Sequence, residues 1–177
     1  EKRYGFLSVC AGEGLASLFR DLGVDRIVSG GQTMNPSTED MLNAIAKINA
    51  DNIFILPNNK NIILAAEQAM RMTKDKNIIV LPSKNVPQGI AALIGFVPED
   101  DVDVNTENMK EEMTLLKTGQ VTYAVRDPSL NGVEIKQGNI MGIGDSGILA
   151  VGEDLEATTL EMFKELVDDM SEIISIY

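Results

Sequence analysis

The residues best suited to chemistry fall in the stretch Gly30–Gly31–Gln32–Thr33–Met34–Asn35–Pro36–Ser37–Thr38. It offers side-chain amides and hydroxyls and no strong acid or base. Such groups hold an anion or a carboxylate by hydrogen bonds; they do not transfer protons at neutral pH. A helix cap competes with this reading. Ser37 or Thr38 is a natural N-cap, and Glu39 and Asp40 suit the first helical turn. Capping explains one or two of these residues but leaves Gln32, Thr33 and Asn35 over. Two further polar clusters follow apolar runs: Asn58, Asn59 and Lys60 in LPNNKN, and Lys84 and Gln88 in PSKNVPQG. The lysines are the obvious cations for an anion. The competing reading has Asn58 and Asn59 capping the next helix and Lys60 merely solvated. The two clusters share the pattern Asn, apolar run, Leu–Pro, polar residues, Lys, so their loops are expected at one sheet edge, side by side if the strands are neighbours.

Absences narrow the chemistry. The 177 residues contain no His and a single Cys, which removes the usual general base, Ser-His-Asp and Cys-His arrangements, disulfides within the chain and most zinc sites. Cys10, within FLSVCA, reads as a buried small hydrophobe. AGEGLAS lacks the third glycine of a dinucleotide fingerprint, and Gly12 and Gly14 read as a tight turn; no GK[ST] phosphate loop is present. The formal net charge of −12 and an aromatic content of 5% argue against nucleic acid as a partner, since phosphate binding needs clustered Lys and Arg, and base stacking needs rings. No apolar run is long enough for membrane insertion. A cytoplasmic location is the default expectation. The chain opens at Glu1 in strand-like sequence and stops at Tyr177 in another such run, which reads as a piece of a longer polypeptide.

The elements that must position these clusters follow from periodicity. Tyr4–Ala11, Arg26–Ser29, Asn52–Leu56 and Asn77–Leu81 are apolar, β-rich runs of the kind buried on both faces. They alternate with helical spacings over 12–22, 38–49, 62–73 and from Pro87 to about Phe96. The fold class expected is α/β, a parallel sheet with helices on both faces, over residues 1–97. A smaller α+β lobe over 98–177 follows. It has an acidic segment entering a helix through Leu116, an antiparallel meander (Val121–Arg126, Val133–Lys136, Asn139–Ile143, Ile148–Val151), a helix over Glu156–Asp169 and a closing strand Ile173–Tyr177. Met41, Met70, Met72, Met109, Met113 and Met162 fall on helices and read as core. In an open parallel sheet ligands bind beyond the carboxyl ends of the strands, which is where the polar loops lie.

Taken together, GEGL at 12–15, GGQTMNPST at 30–38, LPNNKNIILAAEQA at 56–69, PQGIAAL at 87–93 and the meander VEIKQGNIMGIGDSGILAVG resemble the C-terminal domain of the A subunit of bacterial fatty acid kinase, in the dihydroxyacetone-kinase-like group. The resemblance implies a DegV-like fold and a place in lipid metabolism and phospholipid synthesis. It implies that ATP and Mg²⁺ are bound by an N-terminal domain of the full-length protein and that this piece holds no cofactor of its own. Its implied role is non-catalytic: helping to engage the fatty-acid-binding B subunit for acyl phosphate formation. A fatty acid or anion bound by this domain itself is the alternative, with Thr33, Ser37 and Thr38 matching in kind a Ser/Thr-rich loop near the fatty acid carboxylate. A homodimer through the full-length protein is a further implied association. The site residues implied are Gly30, Gly31, Gln32, Thr33, Asn35, Ser37, Thr38, Asn58, Asn59, Lys60, Lys84 and Gln88, with no catalytic residue and no metal.

Overall fold

A computed structural model describes residues 2–31, 33–126, 129–130 and 132–177, and they fall into two compact units, Glu1–Leu116 and Lys117–Tyr177. The first unit runs β1 (Lys2–Cys10), α1 (Glu13–Asp21), β2 (Arg26–Ser29), α2 (Thr38–Ala46), β3 (Ala50–Leu56), α3 (Ile63–Met72), β4 (Asn77–Val80), α4 (Val86–Ile94) and α5 (Val102–Leu115). Its four strands form one parallel sheet in the order β2-β1-β3-β4. Alternation along each strand divides the core between the two faces. Tyr4, Phe6, Phe54 and Leu56 point one way and pack with Phe19 of α1, Ile90 and Leu93 of α4 and Met109 of α5. Leu7, Val9, Ile53 and Ile55 point the other way, onto Met41 and Ile45 of α2 and Ala66 and Ala69 of α3. Phe96 meets Phe6 edge-on at a ring separation of 4.9 Å, closing the first face.

The units part at Leu116/Lys117, not at the expected residue 97. The reason is α5, which packs on α4 and contributes Met109 and Met113 to the core of the first unit. Buried Asn105 secures the turn between these helices. Its Oδ1 accepts from Val97 N at 2.8 Å, and its Nδ2 donates to the carbonyls of Val97 and Asp100 at 2.8 and 3.2 Å. The acidic run that reads as solvated surface therefore has one buried face.

The second unit contains β5 (Gly119–Tyr123), β6 (Ser129–Leu130), β7 (Val133–Glu134), β8 (Ile140–Gly144), β9 (Gly147–Gly152) and α6 (Leu155–Leu166). β5, β8 and β9 form an antiparallel sheet in the order β5-β8-β9, and β6 pairs with β7 apart from it. Three of the four expected meander strands form this sheet; the expected strand Val133–Lys136 is cut to β7 and pairs with β6 instead, and the expected closing strand is not formed. Ile173–Tyr177 is exposed and pairs with no strand among the described residues. Its Ile-rich sequence has β propensity, and propensity without a neighbouring strand does not make a sheet. Met41, Met109, Met113 and Met162 are buried as expected, whereas Met72 is exposed at the end of α3.

Candidate functional site

Because β1 to β4 are parallel, their carboxyl ends share one rim. Cys10 lies beside Ser29, Ser8 beside Leu56 and Ile55 beside Val80. The loops carrying the polar clusters all leave from this rim. The strand order places the β2–α2 loop on one side and the β3–α3 and β4–α4 loops together on the other, with β1 between. Gln32 lies outside the described residues; its neighbours Gly31 and Thr33 follow β2.

The β2–α2 loop is held by packing and by a cap. Gly30 sits so tightly that a Cβ there would lie 2.6 Å from Pro36 Cδ and 3.0 Å from Val9 Cγ1, so this glycine answers a steric need. Gly31 N donates to Met34 O at 2.8 Å. Ser37 is the N-cap of α2 in a reciprocal capping box. Asp40 N donates to Ser37 Oγ at 3.1 Å, and Ser37 N donates to Asp40 Oδ2 at 2.8 Å. The bond from the Ser37 backbone, then that from its hydroxyl, holds the Asp40 carboxyl below its ordinary value of 3.8. Thr38 Oγ1 donates to Gln68 Oε1 at 3.1 Å, linking α2 to α3. Ser37 and Thr38 thus have structural partners. Thr33 and Asn35 are exposed, and their side chains form no hydrogen bond among the described residues.

The β3–α3 and β4–α4 loops divide their polar residues between inside and outside. Asn58 is buried in the left-handed region at φ 55°, a conformation Asn tolerates. Its Nδ2 donates to Ser8 Oγ and Val9 O, both at 2.9 Å; its N donates to Ser83 Oγ at 3.0 Å; and Ser83 Oγ donates to its Oδ1 at 2.8 Å. One side chain therefore ties together the ends of β1 and β3 and the loop after β4. A Cβ on Gly89 of α4 would lie 2.1 Å from Asn58 Oδ1, so this bracket also dictates a glycine on the facing helix. The expectation that Asn58 caps α3 fails. The α3 N-cap is Ile62, with no side-chain cap, and Asn58 turns inward because unsatisfied Ser8 and Ser83 hydroxyls would be costly at that depth. Asn59 forms a local turn instead, its Oδ1 accepting from Asn61 N at 2.9 Å.

Gln88 serves the start of α4. Asn85 Oδ1 accepts from Gln88 N at 2.9 Å, and Gln88 Oε1 accepts from Lys84 N at 2.7 Å. Asn59, Lys60, Asn61 and Lys84 line an open cleft of about 320 Å³. The expectation of adjacent loops holds, since β3 and β4 are neighbours and both lysines reach one cleft. Neither lysine takes part in an ion pair among the described residues. Ser8, Ser83, Gly89 and Asn61 were not singled out from sequence. The available signal was Ser8 within an otherwise apolar strand and Ser83 directly after the Leu–Pro that ends another.

Cys10 ends β1 below the rim, buried, and burial raises its thiol above the ordinary 9.0, with Arg20 opposing and Glu13 adding to the shift. It is a packing residue and no thiolate nucleophile. A second cleft, of about 360 Å³, lies towards the amino ends of the strands between Leu42–Ala46 and Met72–Lys76. Its Lys76 ammonium already donates to the carbonyls of Ile45 and Ile48 at the end of α2.

This layout can be set beside known proteins. The family profile for the C-terminal domain of proteins like the A subunit of fatty acid kinase (FakA-like, C-terminal) matches residues 5–177. The chain belongs to this family. This FakA-like C-terminal domain is 43% identical over 173 residues to Protein YloV of Bacillus subtilis (strain 168), covering 98% of this chain and 31% of that protein. It is 40% identical over 170 residues to "Uncharacterized protein SSP1546" of Staphylococcus saprophyticus, and 39% identical over 170 residues to "Uncharacterized protein SAR1202" of Staphylococcus aureus (strain MRSA252); each match covers 96% of this chain and 31% of the relative. The domain therefore spans about a third of the length of these relatives. It has no GK[ST] loop, and no group of three or more His, Cys, Asp or Glu among the described residues could hold a metal. Among those residues, no helix is long and apolar enough to cross a membrane.

Proposed function

We propose that this domain is a non-catalytic part of the A subunit of a fatty acid kinase and helps to engage the fatty-acid-binding B subunit for ATP-dependent acyl phosphate formation, in the cytoplasm. The observation that carries the reading is family membership over residues 5–177. The rim adds a surface on which it could work. Thr33, Asn35, Lys60 and Lys84 point outward without internal partners among the described residues, while the residues beneath them are locked by Ser37–Asp40 and by Asn58. A rigid scaffold that presents polar side chains without internal partners leaves them available to hydrogen-bond a partner surface. ATP and Mg²⁺ belong, on this reading, to another part of the longer protein. The test is titration of the fatty-acid-loaded B subunit into the intact protein carrying this domain. Thr33→Ala/Asn35→Ala and Lys60→Ala/Lys84→Ala should each weaken binding. Unchanged affinity in both variants would remove the rim from the contact.

A second reading rests on Thr33 and Asn35 alone: a fatty acid or anion held at the Gly30–Thr38 loop. Mass spectrometry of ligand extracted from the purified protein separates the two, since docking alone leaves nothing to extract.

A further inference from the structure

We infer that the cleft between the β3–α3 and β4–α4 loops is a binding site for a phosphate-class dianion, with Lys60 and Lys84 supplying the charge. The inference does not rest on the docking role. The cleft lies across β1 from the Gly30–Thr38 loop, and its residues have a different chemistry.

Every residue of its lining can donate a hydrogen bond. Lys60 and Lys84 bring two ammonium groups, and none of the four lining residues is acidic. Asn59 Oδ1 already accepts from Asn61 N, which leaves the Asn59 amide NH₂ and the Asn61 side chain as the polar groups without a partner among the described residues. The chain carries 27 Asp and Glu against 15 Lys and Arg, yet no carboxylate pairs with either lysine among the described residues. Two like charges lining one small cleft repel each other and are relieved by an anion between them. A monocarboxylate balances one of them, and a phosphate or phosphomonoester dianion balances both. The size and lining fit as well: about 320 Å³ admits a tetrahedral oxyanion with its water, and Asn59, Lys60, Asn61 and Lys84 give an acyl chain no apolar side chain to pack on. The floor is preorganised, because Asn58 and Ser83, one residue before Lys60's neighbour Asn59 and one before Lys84, are buried and bonded to each other between the two loops. The two loops cannot separate without breaking that bracket.

The experiment is calorimetric titration of the intact protein, without any partner protein, at fixed ionic strength. The probes are inorganic phosphate, phenyl phosphate and acetate. Saturable binding of phosphate or phenyl phosphate is expected, with acetate about tenfold weaker or more; tighter phenyl phosphate points to a phosphomonoester, and tighter inorganic phosphate to the free ion. Lys60→Gln/Lys84→Gln should weaken dianion binding by about tenfold or more, and Lys60→Arg/Lys84→Arg should retain it. Both side chains are exposed, so the unfolding midpoint without anion should stay put, and the difference between variants isolates this cleft from phosphate bound elsewhere in the protein. Identical isotherms for the wild type and the Gln variant would overturn the inference, as would acetate binding as tightly as phosphate.

Discussion

The β2–α2 loop and the paired β3–α3 and β4–α4 loops stand on the same rim and are similarly polar, but they use that polarity in opposite ways. In the first, Ser37 caps α2, Thr38 reaches Gln68 and Gly30 makes room for Pro36, which leaves Thr33 and Asn35 outward among the described residues. In the second, the structural work is concentrated in Asn58, with Ser8 and Ser83, and the cations are left unpaired above it. The density of polar residues in a loop is therefore a poor guide to a site. What distinguishes a recognition residue is that nothing inside the molecule satisfies it.

Mutations can break this contrast. The largest effect should come from Asn58→Ala, which strips partners from buried Ser8 Oγ, Val9 O and Ser83 Oγ; a loss of about 3 kcal/mol is expected in urea unfolding. A loss well under 1 kcal/mol would mean that water replaces the bracket. Gly89→Ala should cost about 1–3 kcal/mol because its methyl group meets a pinned Asn58, and the double variant with Asn58→Ala should be less destabilised than the sum of the two. Ser37→Ala removes only a cap and should cost about 1 kcal/mol by the same assay. Lys60→Ala and Lys84→Ala should leave stability within about 0.5 kcal/mol, in keeping with their exposure. The smallest effect is one of pH. Asp40 has a depressed folded value, so its contribution is complete above the ordinary 3.8 and fades as pH falls below that through the lowered value. The cap bond from Asp40 N to Ser37 Oγ does not titrate, so the gap between wild type and Ser37→Ala should narrow under acid, as the bond from the Ser37 hydroxyl to the carboxylate is lost, without closing; a gap independent of pH would contradict a role for that bond.

Much of this arrangement was legible in the sequence. Continuous apolar runs at Asn52–Leu56 and Asn77–Leu81 announce strands buried on both faces, and their shared Leu–Pro–polar–Lys ending put both loops at one sheet edge, side by side once β3 and β4 are found to pair. The capping signal was narrowed to Ser37 or Thr38, and Ser37 is the cap. The direction of Asn58 was hidden, because a cap and a buried bracket look alike in one dimension, and only the register of β1 against β3 brings Ser8 to it. The reach of the first unit to Leu116 was masked by the acidity of α5, whose buried Asn105, Met109 and Met113 are diluted among charged neighbours. Ile173–Tyr177 misled in the opposite sense, since strong β propensity does not supply a partner strand.

The most direct test of the central claim is calorimetric titration of the fatty-acid-loaded B subunit into the intact protein, comparing wild type with the combined variant Thr33→Ala/Asn35→Ala/Lys60→Ala/Lys84→Ala. The account predicts affinity weaker by about tenfold or more at an unchanged unfolding midpoint. Equal affinity with the rim stripped of these four side chains would contradict it.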